Sequence, residues 1–123
     1  MNKFIRKAAE LISRSKHHDF TQFRHVSFVV QDDNIIAHGW NHRHDDPPPI
    51  YRDRGTIHSE WHAYKRAKEL REYRYWYMVN VRLHIDYTIA LAKPCVKCQK
   101  FLRAIGCGKV IYTTQDNEET IHL

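Results

Sequence analysis

The stretch YMVNVRLHID at residues 77–86 alternates, with Tyr77, Val79, Val81, Leu83 and Ile85 on one side and Asn80, Arg82, His84 and Asp86 on the other. A side-chain period of two belongs to a β-strand, so the chain must build a sheet, and this strand is expected to have one dry face. FRHVSFVV at 23–30 and NIIAHGWN at 34–41 flank the short QDD turn and read as an antiparallel hairpin. KVIYTT at 109–114 reads as a further buried strand and TIHL as a short last one. Only QDNEE separates these two segments. A parallel crossover needs about a dozen residues or more, so they can pair directly only as an antiparallel hairpin.

Helical signals fall between the strands. A helix is expected from 57 to about 73, and Pro94 opens another in the position where proline is favoured, with Gly106 and Gly108 as stop signals. The N-terminal MNKFIRKAAELISRSKHH is basic and amphipathic. Its apolar positions Phe4, Ile5, Ala8, Leu11 and Ile12 fit a first packed helix better than a transit peptide. Strands alternating with helices imply a three-layer α/β/α sandwich around a mixed sheet of four to five strands. With 123 residues, one domain spanning 1–123 is expected.

The proline run in HRHDDPPPIYRDRG, residues 42–55, excludes helix and central strand, so a long loop is expected there. A net charge of +6 and a pI near 9.3 favour anionic partners such as nucleotides or nucleic acid. No stretch approaches the roughly 18 apolar residues of a membrane span. The 3 cysteines cannot all pair within the chain, and two of them form Cys95-Val96-Lys97-Cys98. That spacing suggests metal or redox chemistry in a reducing, cytoplasmic compartment.

The sharpest local pattern is His58-Ser59-Glu60 at the start of the expected helix TIHSEWHAYKRAKEL. Residues two apart on a helix lie on nearly opposite sides, so packing against one face does not explain both. They can converge only at the mouth of the helix, where backbone N–H groups are unpaired and the dipole is positive. Cys95 and Cys98 lie three apart in the first turn of their own helix, on one face, where the helix N-terminus favours thiolates. With a histidine from another helix start they make a three-ligand metal set whose fourth tetrahedral position stays open, as in catalytic zinc sites. Taken alone, Cys-x-x-Cys also fits a redox pair or half of a closed structural zinc, to which Cys107 or another histidine would add a ligand. The plainest reading of Cys107 is a small buried residue at a helix end. The run His38, His42, His44, Asp45 and Asp46 has metal donors without fixed ligand spacing and reads as a solvated loop.

Together, His58-Ser59-Glu60 and Pro94-Cys95-Val96-Lys97-Cys98 resemble the H-x-E…P-C-x-x-C signature of the zinc-dependent cytidine and deoxycytidylate deaminases. The order of helices and strands is similar to that family over nearly the whole chain, which implies a cytidine deaminase-like fold. The resemblance implies Zn2+ on His58, Cys95 and Cys98, with Glu60 as the proton shuttle. The family's first hairpin ends in a Gly-aromatic-Asn segment whose Asn binds the substrate sugar. Gly39-Trp40-Asn41 stands there, so Asn41 is expected to bind substrate. Arg43, Arg52 and Arg54, on the loop between Asn41 and His58, are candidates to grip a substrate phosphate.

The expected activity is hydrolytic deamination of cytosine to uracil in a cytidine-type nucleotide of the CMP or dCMP kind. Two competitors stand beside it. A polynucleotide deaminase acting on single-stranded DNA or RNA fits the net charge and the interleaved arginines and rings of REYRYWYM. A non-catalytic zinc module that binds nucleic acid fits less well, because it leaves Glu60 without a role. Relatives commonly assemble, which leaves a homo-oligomer open.

Overall fold

The computed structural model describes residues 1–15, 20, 24–43 and 56–123. Helix α1 (Asn2–Arg14) is followed by strands β1 (His25–Gln31), β2 (Asn34–Trp40), β3 (His42–Arg43) and β4 (Thr56–Ile57). Then come α2 (Ser59–Arg66), β5 (Tyr77–Leu83), β6 (Ile89–Ala90), α3 (Val96–Ala104), β7 (Lys109–Thr113) and β8 (Glu118–His122). The main sheet runs β2-β1-β5-β7-β8, with β6 paired to β5. Only the β5–β7 pairing is parallel among these, and α3 supplies its crossover.

The chain is thus an α/β sandwich of three layers. On one face of the sheet, Ala8 and Ile12 of α1 pack with Val26, Phe28 and Val30 of β1 and Val79, Val81 and Leu83 of β5. On the other, Ala63 of α2 and Phe101 and Leu102 of α3 pack with Val29, Met78, Val110 and Tyr112. The expectation of one dry face on β5 is therefore corrected: Met78, Val79, Asn80 and Val81 are all buried. A central strand covered by helices on both sides buries both of its side-chain rows. Alternation survives only near the end of the strand, where Arg82 is exposed and Leu83 buried. Ile85 lies beyond the strand and is 85% exposed.

Several boundaries also differ. The first hairpin turns on Asp32 and Asp33 alone, both at positive φ (53° and 62°), the backbone of a two-residue turn that matches strand twist. Helix α2 stops at Arg66, not near 73. Gln31 holds the turns beyond it, donating to the Arg71 carbonyl at 2.8 Å and accepting the Arg71 N–H at 3.0 Å. Trp76, 0% exposed, is drawn into the core just before β5. The final hairpin is antiparallel as expected, with Lys109 opposite His122 and Thr113 opposite Glu118. The sheet gains a sixth strand, the two-residue β6, which no sequence signal marked. Of the expected long loop, His42 and Arg43 instead form β3 and pair with β4, and residues 44–55 lie outside the described residues.

Candidate metal centre and its surroundings

Two helix N-termini meet at the site. His58 is the N-cap residue of α2 and Cys95 that of α3, both with extended backbone (ψ 150° and 164°), and Cys98 sits one turn into α3. His58 Nδ1 lies 3.0 Å from Cys98 Sγ and 3.8 Å from Cys95 Sγ. The three ligand atoms all lie within 4.8 Å of one another. Zinc–sulfur bonds of about 2.3 Å and zinc–nitrogen bonds of about 2.0 Å place tetrahedral donors roughly 3.5–3.8 Å apart, so this donor set fits zinc. Among the described residues it is the one such cluster, and it stops at three members. Cys107 is not part of it: that side chain is 4% exposed and donates from Sγ to the Lys109 carbonyl at 3.2 Å.

The two motif cysteines differ in environment. Cys98 is fully buried, while Cys95 is exposed and opens the cluster to solvent. Hydrogen bonding with Cys98 first and His58 second pulls the Cys95 thiol down to about 3, so it presents a thiolate. Burial pushes the Cys107 thiol the other way, up to about 12.

Glu60 follows His58 by two residues, with Ser59 between them, and is 2% exposed. Its Oε1 accepts the Ser59 hydroxyl at 2.9 Å. Because His58 lies outside the helix proper as its N-cap, the helical rule that sends residues two apart to opposite sides does not act on the pair. Asn41 also reaches this end of α2, where its Oδ1 accepts the Ser59 N–H at 2.5 Å and satisfies one of the unpaired amides. Arg43 is exposed on β3, two residues beyond Asn41. Arg52 and Arg54 lie outside the described residues, as do His44, Asp45 and Asp46.

Among the described residues, His38 and His42 belong to no metal-binding cluster. They pack near Trp40, with ring centroids 6.1 Å and 6.0 Å from it, and His62 stacks edge-on at 4.3 Å. His62 Nδ1 accepts the Trp40 N–H at 3.1 Å.

Sequence reasoning missed three polar residues in the surroundings of the site. Ser27 and Asn80, both 0% exposed, face each other across β1 and β5, and the serine hydroxyl donates to Asn80 Oδ1 at 2.7 Å. His25, on the same side of β1, feels the charges of Glu60, Arg82, His58 and Cys95; burial lowers its pKa. The available signal was a serine inside the apolar run VSFVV and an asparagine inside MVNV.

The family model for the cytidine and deoxycytidylate deaminase zinc-binding region matches residues 1–114. No curated protein matches the chain. Among solved structures, the apo form of the dCMP deaminase from the cyanophage S-TIM5 is similar with a TM-score of 0.61 at 19% identity, over 92% of this chain and 81% of that one. The same enzyme in complex with dCMP and dUMP gives a TM-score of 0.58 at 20% identity, over 90% of this chain and 78% of that one. At such identities the likeness speaks for the fold.

Proposed function

This chain belongs to the cytidine and deoxycytidylate deaminase family, and from that premise we propose that it hydrolyses the 4-amino group of cytosine in a free nucleotide of the CMP or dCMP kind. The observation that carries the reading is the juxtaposition of three metal donors with a buried carboxylate that is not one of them. In this reading His58, Cys95 and Cys98 would hold zinc, whose Lewis acidity would supply a nucleophilic water near neutral pH. Glu60 is anchored through Oε1 by Ser59, which leaves Oε2 to handle protons. It takes one from the attacking water and delivers it to N3 of the ring, then takes the second from the hydroxyl formed on C4 and passes it to the departing amine, so that water and cytosine become uracil and ammonia. Asn41 spends its carbonyl on α2 and keeps its Nδ2 donor for the sugar. Arg43, Arg52 and Arg54 would meet the phosphate.

Support for a nucleotide comes from the similar cyanophage enzyme, which has been crystallised with dCMP and dUMP. One observation favours the polynucleotide reading: Tyr73 and Tyr75 are 83% and 62% exposed, beside exposed Arg71 and Arg74. These rings follow the C-terminal end of α2, however, while the metal donors sit at its N-terminal end. That eight-residue helix is about 12 Å long, and Arg74 is paired with Asp32 at 2.8 Å.

Purified protein incubated with cytosine and adenine compounds, from bases to single strands, is expected to release ammonia fastest from dCMP or CMP. Faster release from single-stranded oligonucleotides, with binding that falls steeply as salt is added, would move the substrate to a polymer. Absence of ammonia from every compound sinks the deaminase reading.

A further inference from the structure

We propose that Ser59 and Ser27 are positioning residues: with Asn80 they form a buried hydrogen-bonded chain that aims the Glu60 carboxylate and ties it to the segment leading into the cysteine motif. The inference rests on the deaminase reading for its kinetic consequence.

The four side chains lie in one continuous row of contacts. Glu60 Oε1 accepts from Ser59 Oγ at 2.9 Å, Ser59 Oγ contacts Ser27 Oγ at 2.7 Å, and Ser27 Oγ donates to Asn80 Oδ1 at 2.7 Å. The Asn80 Nδ2 faces the Ala92 carbonyl at 3.4 Å, which fixes the orientation of the amide. Ala92 stands two residues before Pro94, and its own N–H donates to the Thr113 carbonyl at 2.8 Å. The path therefore starts beside His58 on α2, crosses the sheet at the opposed pair Ser27 and Asn80, and ends on the strand exit that feeds Cys95.

Burial gives the chain its leverage. Ser27, Ser59 and Asn80 are 0% exposed and Glu60 2%, so water cannot replace a missing hydroxyl without opening the core. A glutamate side chain has three rotatable bonds, and packing alone leaves its terminal carboxyl free to turn. A directed contact on Oε1 restricts that turn and leaves the other oxygen without this tie. Ser27 spends its one hydrogen on Asn80, so the one Ser59 hydrogen is shared between Ser27 Oγ and Glu60 Oε1, and the acceptor that Ser27 presents bears on how Ser59 meets the carboxylate. Among the described residues, the serine hydroxyls meet Glu60, Asn80 and each other and not the metal donors, which separates positioning from ligation.

The test compares Ser59→Ala, Ser27→Ala and the double variant in zinc-loaded protein. Ser59→Ala is expected to lower kcat by roughly tenfold to a hundredfold, the range that a small misplacement of a catalytic group produces. KM and zinc content should stay near wild type, and the urea midpoint should fall by no more than the loss of one buried hydrogen bond produces. Ser27→Ala should cost less, and the double variant no more than Ser59→Ala, because both act along one chain. In a Glu60→Gln background Ser59→Ala should cost nothing further. A loss confined to the urea midpoint, or single losses that multiply in the double variant, overturns the proposal. A second readout is independent of turnover. With glutamate 13C-labelled at the side-chain carboxyl, the resonance absent from Glu60→Gln should shift or broaden in Ser59→Ala. An unchanged Glu60 resonance also overturns the proposal, and it does so even if the wild-type protein proves to deaminate nothing.

Discussion

Cys95 and Cys107 carry the same side chain and opposite chemistry. Hydrogen bonding at a helix start holds the first thiol near 3, and burial holds the second near 12. Cys95→Ala is therefore expected to abolish tight zinc binding, measured by elemental analysis, and to lower stability, since metal-binding energy is also folding energy. Cys107→Ala should leave the zinc stoichiometry at wild type. Glu60→Gln should retain zinc and fold and lose turnover by at least about a hundredfold, the low end for general acid–base catalysis. Substantial remaining ammonia release would make Glu60 a structural charge at the helix N-terminus. These residues were legible because each half of the motif is local: His58 and Glu60 share one helix start, and Cys95 and Cys98 share another. Ser27 and Asn80 were not, because they meet only through the register of two strands far apart in sequence.

At the scale of elements, the approach of β2 to α2 decides where the motif helix lies. A Cβ on Gly39 would sit 2.2 Å from the Ala63 backbone nitrogen and 2.7 Å from the His62 carbonyl carbon. Both are backbone atoms, so a larger residue must push the helix that carries Glu60 away from the sheet. Gly39→Ala is expected to destabilise the protein by about 1–3 kcal/mol, as overpacking does, and to lower turnover as well. Urea denaturation and the ammonia assay check both parts, and a wild-type midpoint would show that α2 can shift without cost. The Gly-Trp-Asn segment was readable as a family feature, but its packing reason was not. The helix that looked long enough to reach residue 73 stops at Arg66, and the turns after it are held at Arg71 by Gln31, a side chain from another strand.

For the molecule as a whole, histidine burial sets the response to acid. Burial first, and the neighbouring His42 second, lower His62 to about 4. Burial also lowers His25 and His38. Between about pH 6.5, where an unfolded histidine takes up its proton, and about 4, the unfolded chain binds a proton that the folded one refuses. Stability is then fully present above the unfolded value and falls as pH drops through that window. Urea midpoints at pH 7, 6 and 5 should decline in that order, and His62→Gln should flatten the decline; an unchanged slope would remove His62 as a contributor. The sequence alone determined the family motif, the strands of the first hairpin, and the antiparallel last pair, where a five-residue connection forbids a parallel return. Each of these follows from a constraint inside one short segment: side-chain period, helix start or loop length. The tertiary structure decided the two dry faces of β5, the strand Ile89–Ala90 and the path from Glu60 through Ser59 and Ser27 to Asn80. Those depend on which layers cover a strand and which residues its register sets opposite one another, and no single segment encodes either.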